Sequence, residues 1–289
     1  MFIGREKELK SLNNLYTSDK FEFAVIYGRR RVGKTFLIRQ VIGDKASFTI
    51  SGMENVTTND QLLNFKIALN RYGAIDQECT NWLEAFDLLI TYLESLPDGN
   101  KIVFIDEMPW MDTPSSRFVS SLEHFWNHWA SARNDIKLIV CGSATSWMMD
   151  NLINNHGGLH NRVTHQLLLE PFTLGECREY FTRYGFGYSE REIVDCYMVL
   201  GGIPYYFSLM NSADSVAQNI DRLFFSPTGE LRYEMTNLFR SLFRHSDAYV
   251  TIIEALSKKS KGLTRSELLE VTKLNNNARF TKMLDELEY

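Results

Sequence analysis

The stretch Gly28-Arg29-Arg30-Arg31-Val32-Gly33-Lys34-Thr35 fits the spacing G-x-x-x-x-G-K-[ST] without a mismatch. Glycines at those two positions let backbone N–H groups converge on an anion at a helix N-terminus. Lys34 is then placed to reach the β- and γ-phosphates of a nucleotide, and the Thr35 hydroxyl to ligate Mg²⁺. Three arginines in a row could instead make a basic patch for nucleic acid. The setting decides for a phosphate cradle: an apolar run, Glu22-Phe-Ala-Val-Ile-Tyr27, precedes the loop and a helical segment from Phe36 follows it. Arg29, Arg30 and Arg31 occupy the variable positions, where a solvated rim is the expectation ahead of a contact to phosphate or a partner.

A cradle of this kind needs an acidic residue at the end of a second strand. Ile102-Val-Phe-Ile-Asp106-Glu107 supplies it. Asp106 is expected in the Mg²⁺ shell, and Glu107, one residue on, can orient and deprotonate an attacking water. A glutamate there points to hydrolysis, since small-molecule kinases must exclude water. Another strand-like run, Leu138-Ile-Val-Cys-Gly142-Ser143, ends in a small polar residue. Ser143 can reach the γ-phosphate or the water if this run lies beside the Asp106 strand; it can equally cap the helix that follows. Arg162 precedes the last apolar run and reads either as a transition-state finger, for its own or a neighbouring subunit's nucleotide, or as a surface residue. His124 and His128 lie one helical turn apart but lack the His-Glu-x-x-His order and a third ligand, so no zinc site is expected.

The elements that must hold these residues follow from the apolar pattern. Strand-length runs at 22–27, 46–51, 101–105, 137–141 and 165–169 alternate with helix-length segments near 34–42, 59–72, 81–95 and 117–132. Near-continuous apolar strands separated by helices predict a doubly wound parallel α/β sheet. After Pro171 the pattern becomes helical. Thr173-Leu-Gly-Glu176 and Ser189-Glu-Arg-Glu192 are capping boxes, and a third, Thr264-Arg-Ser-Glu267, opens the middle helix of a trio at 247–257, 264–271 and 276–288. The trio is compatible with a helix-turn-helix core that lacks a β-wing. Three domains are expected: a P-loop α/β domain over 1–170, an all-helical domain over 171–244 and a helix-turn-helix domain over 245–289.

Composition bounds the function. The 289 residues are 44% hydrophobic and 23% charged, ordinary for a folded chain, and no run of about 18 apolar residues is present. No signal-peptide profile opens the chain, and Cys79, Cys141, Cys177 and Cys196 form no Cys-x-x-Cys pair, so a cytoplasmic protein with reduced thiols is expected. A formal net charge of −5 argues against wholesale coating of nucleic acid. From residue 245 on, seven basic residues balance seven acidic ones, so the last three helices show no basic excess for DNA phosphates.

With these pieces assembled, the chain resembles the archaeal-type ATPases, P-loop proteins close to AAA+ and grouped with the STAND ATPases. The resemblance rests on Phe2-Ile-Gly-Arg5-Glu-Lys-Glu8-Leu9, the loop 28–35, Ile105-Asp-Glu-Met-Pro-Trp110, Gly142-Ser143, Asn161-Arg162, Leu169-Glu-Pro-Phe172 and Gly201-Gly-Ile-Pro204-Tyr205. It implies an ATPase core over 1–170, a helical lid over 171–244 and a truncated winged-helix domain over 245–289, with ATP and Mg²⁺ as ligands, residues from Phe2 through Ile3 to Arg5 bordering the adenine and Pro204 approaching from the lid. The usual Gly-Arg is Asn161-Arg162 here. The expected function is an ATP-hydrolysing conformational switch. The alternatives are a nucleotide-gated protein-interaction module and a DNA-binding regulator, with a protein partner, duplex DNA or a second copy of the chain as the associate.

Overall fold

The computed structural model describes residues 3–74, 76–243 and 246–288, and the chain divides into two compact units, Met1–Ser208 and Leu209–Tyr289. Phe2 lies outside the described residues. The division falls inside the 171–244 segment, grouping the helices up to Ser208 with the sheet.

The first unit opens with α1 (Glu6–Thr17), β1 (Glu22–Tyr27) and α2 (Lys34–Ile42). It continues through β2 (Ala46–Ser51), α3 (Thr58–Arg71), α4 (Trp82–Ser95), β3 (Lys101–Asp106) and α5 (Phe118–His128). The remainder is β4 (Ile136–Gly142), a short α6 (Thr145–Met148), β5 (His165–Leu168), α7 (Leu174–Arg183), α8 (Glu190–Leu200) and α9 (Pro204–Ser208). Expected strands and helices agree with these bounds to within a residue or two, except that 117–132 is α5 followed by a separate 3-10 turn, Ala130–Ala132. The 3-10 turn Met108–Met111 behind β3 and helix α1 fall outside the expected elements, although Leu9, Leu12, Leu15 and Tyr16 of α1 recur at helical spacing.

The five strands form one parallel sheet in the order β2-β3-β4-β1-β5. Alternation within each strand builds two cores. Phe23 and Val25 of β1 join Val103 and Ile105 of β3 against α3, α4 and α5 on one face. Ala24 and Ile26, with Ile102 and Phe104, face α1 and α2 on the other. Coverage on both faces is why these strands are apolar almost without interruption. The order inserts β4 between β1 and β3, so the loops leaving the C-terminal ends of all three converge at one edge, where open α/β sheets bind ligands.

All three expected capping boxes form, at Thr173–Glu176, Ser189–Glu192 and Thr264–Glu267. The second unit contains α10 (Val216–Ile220), α11 (Glu234–Leu242), α12 (Ser246–Ser257), α13 (Arg265–Thr272) and α14 (Ala278–Glu288). Tyr249, Ile252, Leu268, Phe280 and Met283 make its core, and no strand accompanies the last three helices among the described residues.

Leu89 of α4 is fully buried in the larger core. Leu89→Ala is expected to cost about 2–5 kcal/mol of unfolding free energy, read from denaturant melts.

Candidate nucleotide site

The loop between β1 and α2 takes a backbone shape that only certain residues tolerate. Gly28 has φ +138°, and a Cβ there would lie 2.3 Å from the Leu169 carbonyl oxygen, so backbone packing alone requires glycine. Gly33 has φ +96° and opens α2; a Cβ there would meet nothing within 4 Å and would project into open space in front of the helix N-terminus. That is the shape expected of an anion cradle. Lys34 is buried, and its Nζ donates to the carbonyls of Gly28 (3.0 Å) and Arg29 (2.9 Å). Burial pushes its ammonium below the ordinary value, opposed by the negative charges of Glu107 and Asp106.

Asp106 ends β3 and is buried. Its carboxylate accepts from Thr35 Oγ1 at 3.0 and 3.2 Å, from the Glu107 backbone N–H at 3.0 Å and from Cys141 Sγ at 2.6 Å. Glu107 sits in the left-handed region at φ +44°, a cost of order 1–3 kcal/mol for a non-glycine residue. Its Oε2 accepts from Ser143 twice, from N–H (3.2 Å) and Oγ (2.9 Å). Pairing of β3 with β4 puts Ser143 beside the Asp106 strand, the condition on which its reach depended. Thr35 and Asp106 thus present a hydroxyl and a carboxylate from adjoining elements, an oxygen donor set that suits Mg²⁺ with water and phosphate completing its shell. Among the described residues no group of three His, Cys, Asp or Glu side chains is arranged to hold a metal, and His124 and His128 simply stack, 5.0 Å apart.

Beside the cradle lies a cavity of about 340 Å³, lined from the loop side by Val32, Gly33 and Phe36 and from elsewhere by Ile3, Arg5 and Pro204. Its size is at the lower end of small-molecule pockets, about 300–1,000 Å³. Ile3 and Arg5 from the start of the chain and Pro204, some 200 residues later, therefore meet Phe36 around one space. Arg5 is buried, donates to the Glu170 carbonyl and lies 5.1 Å from the Phe172 ring centre. Phe36 is 58% exposed.

Two sequence readings change. Arg29 is exposed and Arg30 half-buried, but Arg31 is not a solvated rim residue: its guanidinium stands 4.6 Å over the Tyr205 ring and 5.7 Å from that of Tyr206. The aromatic pair after Pro204 was the available signal. Arg162 is exposed and lies at the wrong pole for its own cradle. Thr164 N–H donates to the Phe23 carbonyl at the start of β1, whereas Leu169 N–H donates to that of Tyr27 at its end. Four residues of β1 at about 3.3 Å each separate those levels by about 13 Å, and Arg162 lies two residues further back along the chain. The Cys141 bond to Asp106 also escaped the sequence reading, because a lone cysteine in an apolar strand gives no signal beyond core packing.

The parallel sheet, the glycine-framed loop and the Asp-Glu pair define a P-loop nucleotide-binding fold. The family described as the ATPase domain predominantly from Archaea matches residues 2–210, and the chain belongs to it. Uncharacterized protein MJECL04 of Methanocaldococcus jannaschii is 29% identical over 265 residues, which is 89% of this chain and 54% of that protein; the chain spans about half the length of this relative. The Walker-type ATPase PABY2304 of Pyrococcus abyssi superposes with a TM-score of 0.70 at 20% identity, over 99% of this chain and 89% of that one. A STAND protein with a tetratricopeptide repeat sensor, PH0952 of Pyrococcus horikoshii, gives a TM-score of 0.51 at 14% identity, over 99% of this chain and 39% of that one. The two structures share the fold, and the family makes this an ATPase domain of the archaeal type. No helix among the described residues is long and apolar enough to cross a membrane.

The thiols give a check on the packing. Cys79 is half-buried, while Cys141, Cys177 and Cys196 are buried. Burial pushes Cys177 and Cys196 up to about 12, and Cys141 well above its ordinary value. Ellman's reagent at pH 8 is expected to titrate one thiol in the folded chain and all four in denaturant.

Proposed function

We propose that the chain hydrolyses ATP with Mg²⁺ and uses the nucleotide state as a conformational switch. The observation that supports this best is the Thr35–Asp106 and Glu107–Ser143 constellation beside a glycine-framed loop. ATP binds with its base in the cavity bordered by Ile3, Arg5, Phe36 and Pro204 and its phosphates against the backbone N–H groups of 28–35. Lys34 exchanges the Gly28 and Arg29 carbonyls for phosphate oxygens, which restores full charge compensation to a buried ammonium. Thr35 and Asp106 hold the Mg²⁺, which when bound supplies positive charge against that developing on the phosphates. Glu107 orients the water and takes its proton; Ser143 holds that carboxylate at the correct end of β4 until water competes for it.

Arg162, at the opposite pole of the sheet, acts on the nucleotide of a second copy. The switch leaves the first unit by the covalent route: α9, which borders the cavity, ends at Ser208, and the helices of the second unit start beyond it. In this reading 171–244 serves as the lid and 245–289 as the helix-turn-helix output module, with protein contact favoured by its balanced charge.

Glu107→Gln is expected to keep ATP bound while turnover falls by about a hundredfold or more; unchanged turnover would remove Glu107 from the role of base. Lys34→Ala should abolish tight ATP binding in the same assay. Arg162→Ala should also be nearly inactive, by about a thousandfold. Mixing it with Glu107→Gln should regain activity, because a mixed contact sets an intact Arg162 against an intact Glu107. Unchanged turnover in Arg162→Ala would leave Arg162 a surface residue, and an inactive variant without recovery on mixing would exclude its action on a second copy.

A further inference from the structure

The middle of the phosphate loop touches the wall of the base cavity. Arg31 adopts the left-handed region, φ +69°, and its guanidinium covers Tyr205 at 4.6 Å and approaches Tyr206 at 5.7 Å. Both tyrosines belong to α9. Pro204 and Ser208 of that helix line the cavity, as do Val32 and Gly33, the two residues after Arg31. Arg31 therefore bridges the two sides of one space. A planar guanidinium suits two adjacent rings better than an ammonium does. Tyr206 packs on the smaller core of the sheet, so the bridge is anchored at its far end.

We propose that Arg31 is a positioning residue, which fixes α9 against the phosphate loop so that the base pocket is assembled independently of the phosphates. This rests on the reading of the cavity as the nucleotide's base site. An arginine of the loop that bound phosphate directly would behave differently, since its contribution would grow with the number of phosphates on the ligand. A strut between loop and α9 contributes equally to a nucleoside and to its triphosphate.

The test is equilibrium binding of adenosine, ADP and ATP to the full chain and to Arg31→Ala, Arg31→Lys, Tyr205→Ala, Tyr205→Phe and the double Arg31→Ala/Tyr205→Ala variant. Thermal unfolding of each without ligand identifies any variant that fails to fold. Loss of the bridge should weaken adenosine and ATP by the same factor, about three- to tenfold. Tyr205→Ala should match it, and the double variant should lose no more than either single one. Arg31→Lys and Tyr205→Phe, which keep a cation and a ring, should recover part or all of the affinity. In turnover the loss should appear in KM rather than kcat. An ATP loss well above the adenosine loss would make Arg31 a phosphate ligand and overturn the inference, as would additive effects in the double variant. Wild-type chain that binds neither adenosine nor ATP would overturn the base-pocket reading itself, and this inference with it.

Discussion

The structure of the site depends on keeping one buried carboxylate satisfied. Asp106 is only 7% exposed, and a buried charge without partners is expensive. Its partners come from three elements: Thr35 from the start of α2, Cys141 from β4, and the backbone of Glu107 immediately behind β3. The observed order, with β4 between β1 and β3, brings those donors around it. Sheet topology, loop conformation and the position of the acidic pair are therefore one constraint. The thiol of Cys141 belongs to it as a neutral donor, since burial holds its proton on.

The same economy governs the groups around it. Lys34 donates to two carbonyls of its own loop, and Glu107 accepts twice from Ser143. Neither charged side chain pairs directly with the other in a hydrogen bond, although the charge of Glu107 raises the Lys34 pKa against its burial. A lysine–glutamate pair would be strong in a site so shielded, and it would leave both groups unavailable to a phosphate or a water. Separate neutral partners hold the two ready at modest cost. The left-handed backbone at Glu107 fits this arrangement, because it turns the chain out of β3 immediately after Asp106 and lets successive residues serve different partners.

Much of this was legible in the sequence, for identifiable reasons. The three central strands β1, β3 and β4 are covered on both faces, so each reads as an apolar run, and the capping boxes mark helix starts by local chemistry alone. The loop 28–35 and the pair Asp106-Glu107 are legible because phosphate binding demands particular residue types at fixed spacing. What was missed depends on the third dimension. Nothing in the spacing of Arg31 distinguishes a solvated arginine from one stacked on tyrosines some 170 residues later, and nothing about Cys141 distinguishes a core residue from a donor. Arg162 illustrates the intermediate case. Its place before the last strand was visible, but its distance from the cradle follows only from the parallel register of β5 on β1.

That register also limits how copies could act on one another. Every strand in the sheet points the same way, so the nucleotide edge and the edge carrying Arg162 are opposite poles. A contact that brings the Arg162 pole of one copy to the nucleotide pole of the next is either head-to-tail, or side by side about a two-fold that runs the strands of the two copies antiparallel. Head-to-tail contacts repeat: they close into rings if the rotation allows, and extend as filaments if it does not. A two-fold dimer built on either pole alone would set like against like and leave each Arg162 as far from a phosphate as it is within one chain. Turnover that depended on Arg162 would therefore require the head-to-tail or the side-by-side arrangement, with the Arg162 pole of one copy set against the nucleotide pole of another.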